Sequence, residues 1–95
     1  MTKEQRFASV WDAIEPSAAE AASMKIRSEV MIAVRKSVDR WKLTQAEAAK
    51  RLGVTQPRLN DLLRGRIDRF SLDALVDLAD RAGLSVQVKT VRRAA

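Results

Sequence analysis

The chain is 95 residues long, 46% hydrophobic and 32% charged, a globular composition sized for one domain with a modest core. It has no Cys and no His, which excludes disulfides, thiolate chemistry, zinc sites of the usual ligand types and the commonest general base near neutral pH. Net charge is +6 and uneven: residues 1–23 carry two basic and four acidic side chains, residues 24–95 sixteen and eight, so a basic body suits a polyanionic partner or serves solubility alone.

Met1 to Arg6 is too polar to open a signal peptide, and no apolar run approaches the roughly 18 residues of a membrane span. A cytoplasmic protein with no membrane partner is expected. Phe7, Val10, Trp11 and Ile14 then fall at i, i+3, i+4, i+7, which predicts a short amphipathic helix over 7–15, closed by Pro16-Ser17. Two turns are marginal alone, so this stripe must dock, on its own domain or on a partner, and Phe7 and Trp11 are candidate contacts. From about Met24 to Trp41, Ile26, Val30, Met31, Val34, Val38 and Trp41 mark a long amphipathic helix.

Thr44-Gln45-Ala46-Glu47 has the form of a capping box, and the helix it starts runs from Gln45 to Leu52 and stops at Gly53. Thr55 is a second N-cap with Pro57 in the first turn, opening a helix from Gln56 to Arg64 that stops at Gly65. Ser71 caps a fourth helix, Leu72 to about Ala82, with Leu72, Leu75, Val76, Leu78 and Ala79 inward and Gly83 at its end. The tail Leu84 to Val91 alternates apolar and polar, the pattern of a half-buried strand with Leu84, Val86 and Val88 on one face. It is the only strand the sequence predicts, so it would pair with a symmetry mate or with a partner's sheet edge. The organisation expected is a leader at 1–23, a body at 24–83, and a strand with a basic tail at 84–95.

Two short capped helices joined by Leu52-Gly53-Val54 are a helix-turn-helix arrangement. Ala48-Ala49 lets the second helix cross closely over the first, and Val54, Leu59 and Leu62 bury it. Gln56, Arg58, Asn60, Asp61 and Arg64 are left free to read base edges or hold phosphates. A generic helical bundle with a solvated polar face fits each feature singly. The joint pattern Thr-Gln-x-Glu-Ala-Ala, Gly-Val-Thr-Gln, Leu-x-x-Leu-Leu-x-Gly is more specific. No Gly-rich phosphate loop, metal-ligand cluster or nucleophile–base pair appears, so neither catalysis nor a cofactor nor a bound metal is expected.

These residues, over roughly 24–82, resemble the Xre/Cro-type helix-turn-helix of phage and bacterial repressors. The resemblance implies a mainly α, lambda-repressor-like domain of four to five helices, here followed by the one C-terminal β-strand. Groove geometry and the lone strand together predict a homodimer on a palindromic duplex, because a single helix in one major groove contacts few base pairs. Gln45 matches the phosphate-contacting position at the start of the first motif helix, and Gln56 the base-reading glutamine of the second. Arg58, Asn60 and Asp61 share its exposed side, Thr55 opens the same surface, and Lys50 and Arg64 suit phosphates. Pro57 departs from the polar residue often found there, so reading at that point would be apolar or absent. Asp61 can accept from a cytosine amino group, orient Arg58 or Arg64, or form a purely structural ion pair. Phe7-x-x-Val-Trp-Asp-Ala-Ile, Met24-Lys25-Ile26-Arg27-Ser28-Glu29 and Gln-Pro-Arg-Leu-Asn-Asp-Leu-Leu-Arg-Gly further resemble HigA-like antitoxins. That likeness implies a RelE-like toxin as partner and repression of the shared operon. A stand-alone Xre-type repressor and an interaction module that has lost DNA binding are the alternatives.

Overall fold

A computed structural model describes residues 17–93; the predicted leader helix, with Phe7 and Trp11, lies outside them. Four α-helices are present in this span: α1 Ala18–Trp41, α2 Gln45–Leu52, α3 Gln56–Leu63 and α4 Leu72–Arg81. A single 3-10 turn, Ile67–Arg69, joins α3 to α4. Each α-helix begins at a hydroxyl N-cap, Ser17, Thr44, Thr55 or Ser71, whose side chain accepts the amide three residues on. At Ser17 and Thr44 a Glu three residues later completes the reciprocal box.

Three helix ends share one hydrogen-bond pattern. The amide after the glycine donates to the carbonyl five residues back: Val54 to Ala49, Arg66 to Asp61 and Leu84 to Ala79, at 2.9, 3.1 and 2.8 Å. The glycine's own amide donates three residues back, to Lys50, Leu62 and Asp80. Gly53 has the greatest need of being glycine. Its φ is +73°, and a Cβ there would run into the Arg81 guanidinium, which donates to the carbonyls of Leu52 (3.1 Å) and Gly53 (3.3 Å). Arg81 thus ties α4 to the turn between α2 and α3.

The core lies where α1 crosses α4 and α3 packs on α2. Phe70, Leu52, Leu59, Leu62, Leu75 and Val34 are its largest fully buried side chains. Arg27 of α1 donates to the Ile67 and Phe70 carbonyls at 3.4 and 3.3 Å, holding the 3-10 turn beside the helix.

Three expectations change. α1 starts at Ala18, six residues before the expected Met24, because Ser17 and Glu20 cap it there. Ile26 in its first half stays 39% exposed, and full burial on α1 begins at Met31. Val76 of α4 is exposed too, since the buried stripe runs Leu75, Leu78, Ala79 and leaves it at the edge. The predicted C-terminal strand is absent: no ladder forms among the described residues from Leu84 to Arg93. A lone strand has no edge to bond within one chain. Leu84 and Val86 instead pack on the domain's own core, and with Glu29, Val30 and Ala33 of α1 and Ala79 of α4 they line a groove. Val88 and Val91 stay exposed.

Candidate nucleic-acid interface

The α2–turn–α3 unit offers a surface built from two helices of eight residues each. Small buried Ala48 and Ala49 on α2 let α3 approach closely, and Leu59 and Leu62 anchor α3 from beneath. At ~100° per residue, the outward crest of α3 runs through Pro57 and Arg64, with Asn60 and Gln56 on one flank and Asp61 and Arg58 on the other. Gln56, Pro57, Asn60 and Arg64 are all exposed.

The other flank is engaged within the protein. The Arg58 guanidinium lies 3.9 Å over the Phe70 ring, and its Nη1 donates to the Arg69 carbonyl at 2.8 Å. Asp61 pairs with Arg69 (3.2 Å) and Arg66 (4.0 Å), rather than with the Arg58 or Arg64 considered from sequence. Thr55 serves as N-cap, its hydroxyl accepting the Arg58 amide at 3.3 Å. Gln45 opens α2 at its exposed N-terminal turn, and Lys50 is exposed at its other end. Glu47 Oε1 accepts from the Thr44 amide and hydroxyl, both at 3.0 Å, which holds its carboxyl below the usual carboxylate range. Gln45, Lys50, Thr55, Gln56, Pro57, Asn60 and Arg64 are thus each exposed, whereas Arg58 is set against the following turn.

A model of the helix-turn-helix domain family matches residues 13–90. The chain belongs to the helix-turn-helix domain family. No curated protein matches it at a significant level. A helix-turn-helix domain points to a DNA-binding regulator. Among the described residues no helix is long and apolar enough to cross a membrane.

Sequence reasoning missed Arg66, Arg69 and Arg81. Arg66 was accessible to it, because the residue after a helix-ending glycine lies against the one five positions earlier, here Asp61. Arg69 and Arg81 reach their partners across eight and about thirty residues of chain, and no local pattern marks such contacts.

Proposed function

We propose that this helix-turn-helix protein is a sequence-specific repressor that binds a palindromic duplex as a homodimer and serves as the antitoxin of a toxin–antitoxin pair. The observation that carries the DNA-binding part is the exposed row Gln56, Pro57, Asn60 and Arg64 on a helix whose opposite side is fully buried. Gln and Asn are the side chains that pair bidentately with adenine, and Arg suits guanine or phosphate. Gln45 and Lys50 on α2 add phosphate contacts that fix orientation.

One eight-residue helix spans few base pairs, so specificity in this reading needs two half-sites about 34–36 Å apart, one per protomer. The tail supports a two-fold contact through Val88, which is 68% exposed on backbone without ladder partners. Pairing with the same segment of a second copy would supply the missing ladder. The antitoxin role rests on the resemblance of residues 7–14, 24–29 and 56–65 to HigA-like antitoxins, with a RelE-like toxin as partner.

The test is co-expression with the product of the adjacent gene, followed by a gel shift on the shared promoter. The expected result is a co-purifying pair that retards the promoter duplex and ignores random duplex. Equal retardation of both duplexes would exclude specific repression, and absence of a co-purifying partner would exclude the antitoxin role while leaving a solitary repressor.

A further inference from the structure

Asp61 is the only carboxylate on α3, and it stands on the flank next to the crest proposed to meet DNA. Facing a polyanion, an unpaired carboxylate there would weaken binding. It is not unpaired. Arg69 Nη1 lies 3.2 Å and Arg66 Nε 4.0 Å from the same oxygen, Oδ1. The two guanidinium side chains are 51% and 38% exposed, so each keeps N–H donors beyond those turned to Asp61. One carboxylate beside two guanidinium groups leaves the cluster net positive.

The helix ends give this cluster its meaning. At the ends of α2 and α4, the residues joined by the five-back hydrogen bond are apolar, Val54 with Ala49 and Leu84 with Ala79. Those ends seal against the core. At the end of α3 the same two positions are Arg66 and Asp61. The backbone geometry is kept while the apolar couple is replaced by a charged one, on the helix that carries the reading residues. Arg58 fixes the loop from a second side, through Phe70 and the Arg69 carbonyl. The segment bearing Arg66 and Arg69 is thereby attached to α3 by two separate contacts.

We propose that Asp61 is a positioning residue: it holds Arg66 and Arg69 beside α3, where their remaining donors grip backbone phosphates flanking the bases read by Gln56 and Asn60. This rests on the DNA-binding reading above. Arginine suits the task because its fork can face a carboxylate on one side and a phosphate on the other. Preorganising two long side chains removes an ordering cost that binding would otherwise bear.

The sign of the effect separates positioning from plain charge. Charge alone makes Asp61→Asn bind DNA more tightly, because a repulsive carboxylate is gone. Positioning makes it bind more weakly, of the order of tenfold, because two clamps are loosened. The experiment measures the full chain on a duplex selected from a random pool with the wild type, across a salt series, with helix melting followed for every variant. Arg69→Ala and Arg66→Ala should each flatten the log K against log salt slope by about one phosphate, near 0.9. Asp61→Asn should add little once both arginines are Ala, and Asp61→Glu should recover part of the loss. A merely structural role would lower the melting temperature and affinity together without moving the slope. Tighter or unchanged binding by Asp61→Asn, with wild-type selectivity intact, overturns the positioning role alone. A wild type that selects no duplex overturns the DNA reading and this inference with it. If Asp61→Asn does not fold, the exposed arginine variants decide by their slopes, and unchanged slopes overturn the inference.

Discussion

At the residue scale, the α3 crest and the Thr44–Glu47 box make different demands on their side chains. Gln56 is exposed at the first position of α3, so its truncation should leave folding alone. Gln56→Ala is expected to cost about 1–3 kcal/mol of specific binding and to relax preference at one base position, as read by affinity on single-position operator variants. Glu47 shows the reverse: from an exposed position its carboxylate serves the fold, as half of a capping box. Hydrogen bonds from the Thr44 amide and hydroxyl lower its pKa in the folded state. The stabilisation it gives is therefore complete above the unfolded carboxyl value of about 4.3, and is lost as pH falls through the lower folded value. Chemical denaturation from pH 7 to pH 2 should show the wild type losing a margin over Glu47→Gln on the acid side. Parallel curves throughout would mean that the box draws nothing from the charge.

At the scale of elements, the turn between α2 and α3 is locked by Gly53 and Arg81 together. Gly53→Ala meets both a left-handed backbone and the Arg81 side chain, and is expected to destabilise by about 2–4 kcal/mol. Removing Arg81 in the same chain should recover part of that cost, an interaction that a double-mutant cycle by urea melting would expose. Helix starts and stops were legible in sequence because they are local chemistry: Thr44 with Glu47, Thr55 with Pro57, Ser71, and the three glycines all sit where propensity places them. The same rule applied to Ser17 and Glu20 would have moved the start of α1 to Ala18. Two things were not local. The strand pattern at Leu84, Val86 and Val88 reports only that alternate side chains are apolar, and packing on the core of the same domain buries two of them in part without a sheet. The candidate interface was legible in the exposure of Gln56, Pro57, Asn60 and Arg64, but not in the pairing of Asp61 with Arg69. Arg69 arrives there from the 3-10 turn, after the chain has reversed.

At the scale of the whole molecule, the tail divides into a part used by its own domain and a part left over. Ending the chain after Gln87 keeps Leu84 and Val86 on the core, so helix melting should stay within about 0.5 kcal/mol of the full chain. Ending it after Gly83 removes both, and is expected to cost about 1–2 kcal/mol for two half-buried side chains. Sedimentation should show a dimer for the full chain and a monomer for the chain ending at Gln87. A dimer from both would shift the two-fold contact to α4, where Val76 is exposed. The exposed crest of α3 carries one more consequence. None of Gln56, Pro57, Asn60 and Arg64 belongs to the core, so these four letters can be rewritten while the frame that displays them stands. In the DNA-binding reading proposed above, a lineage could exchange one operator for another through a handful of surface changes, and an engineer could do the same by transplanting a foreign set of four onto this chain.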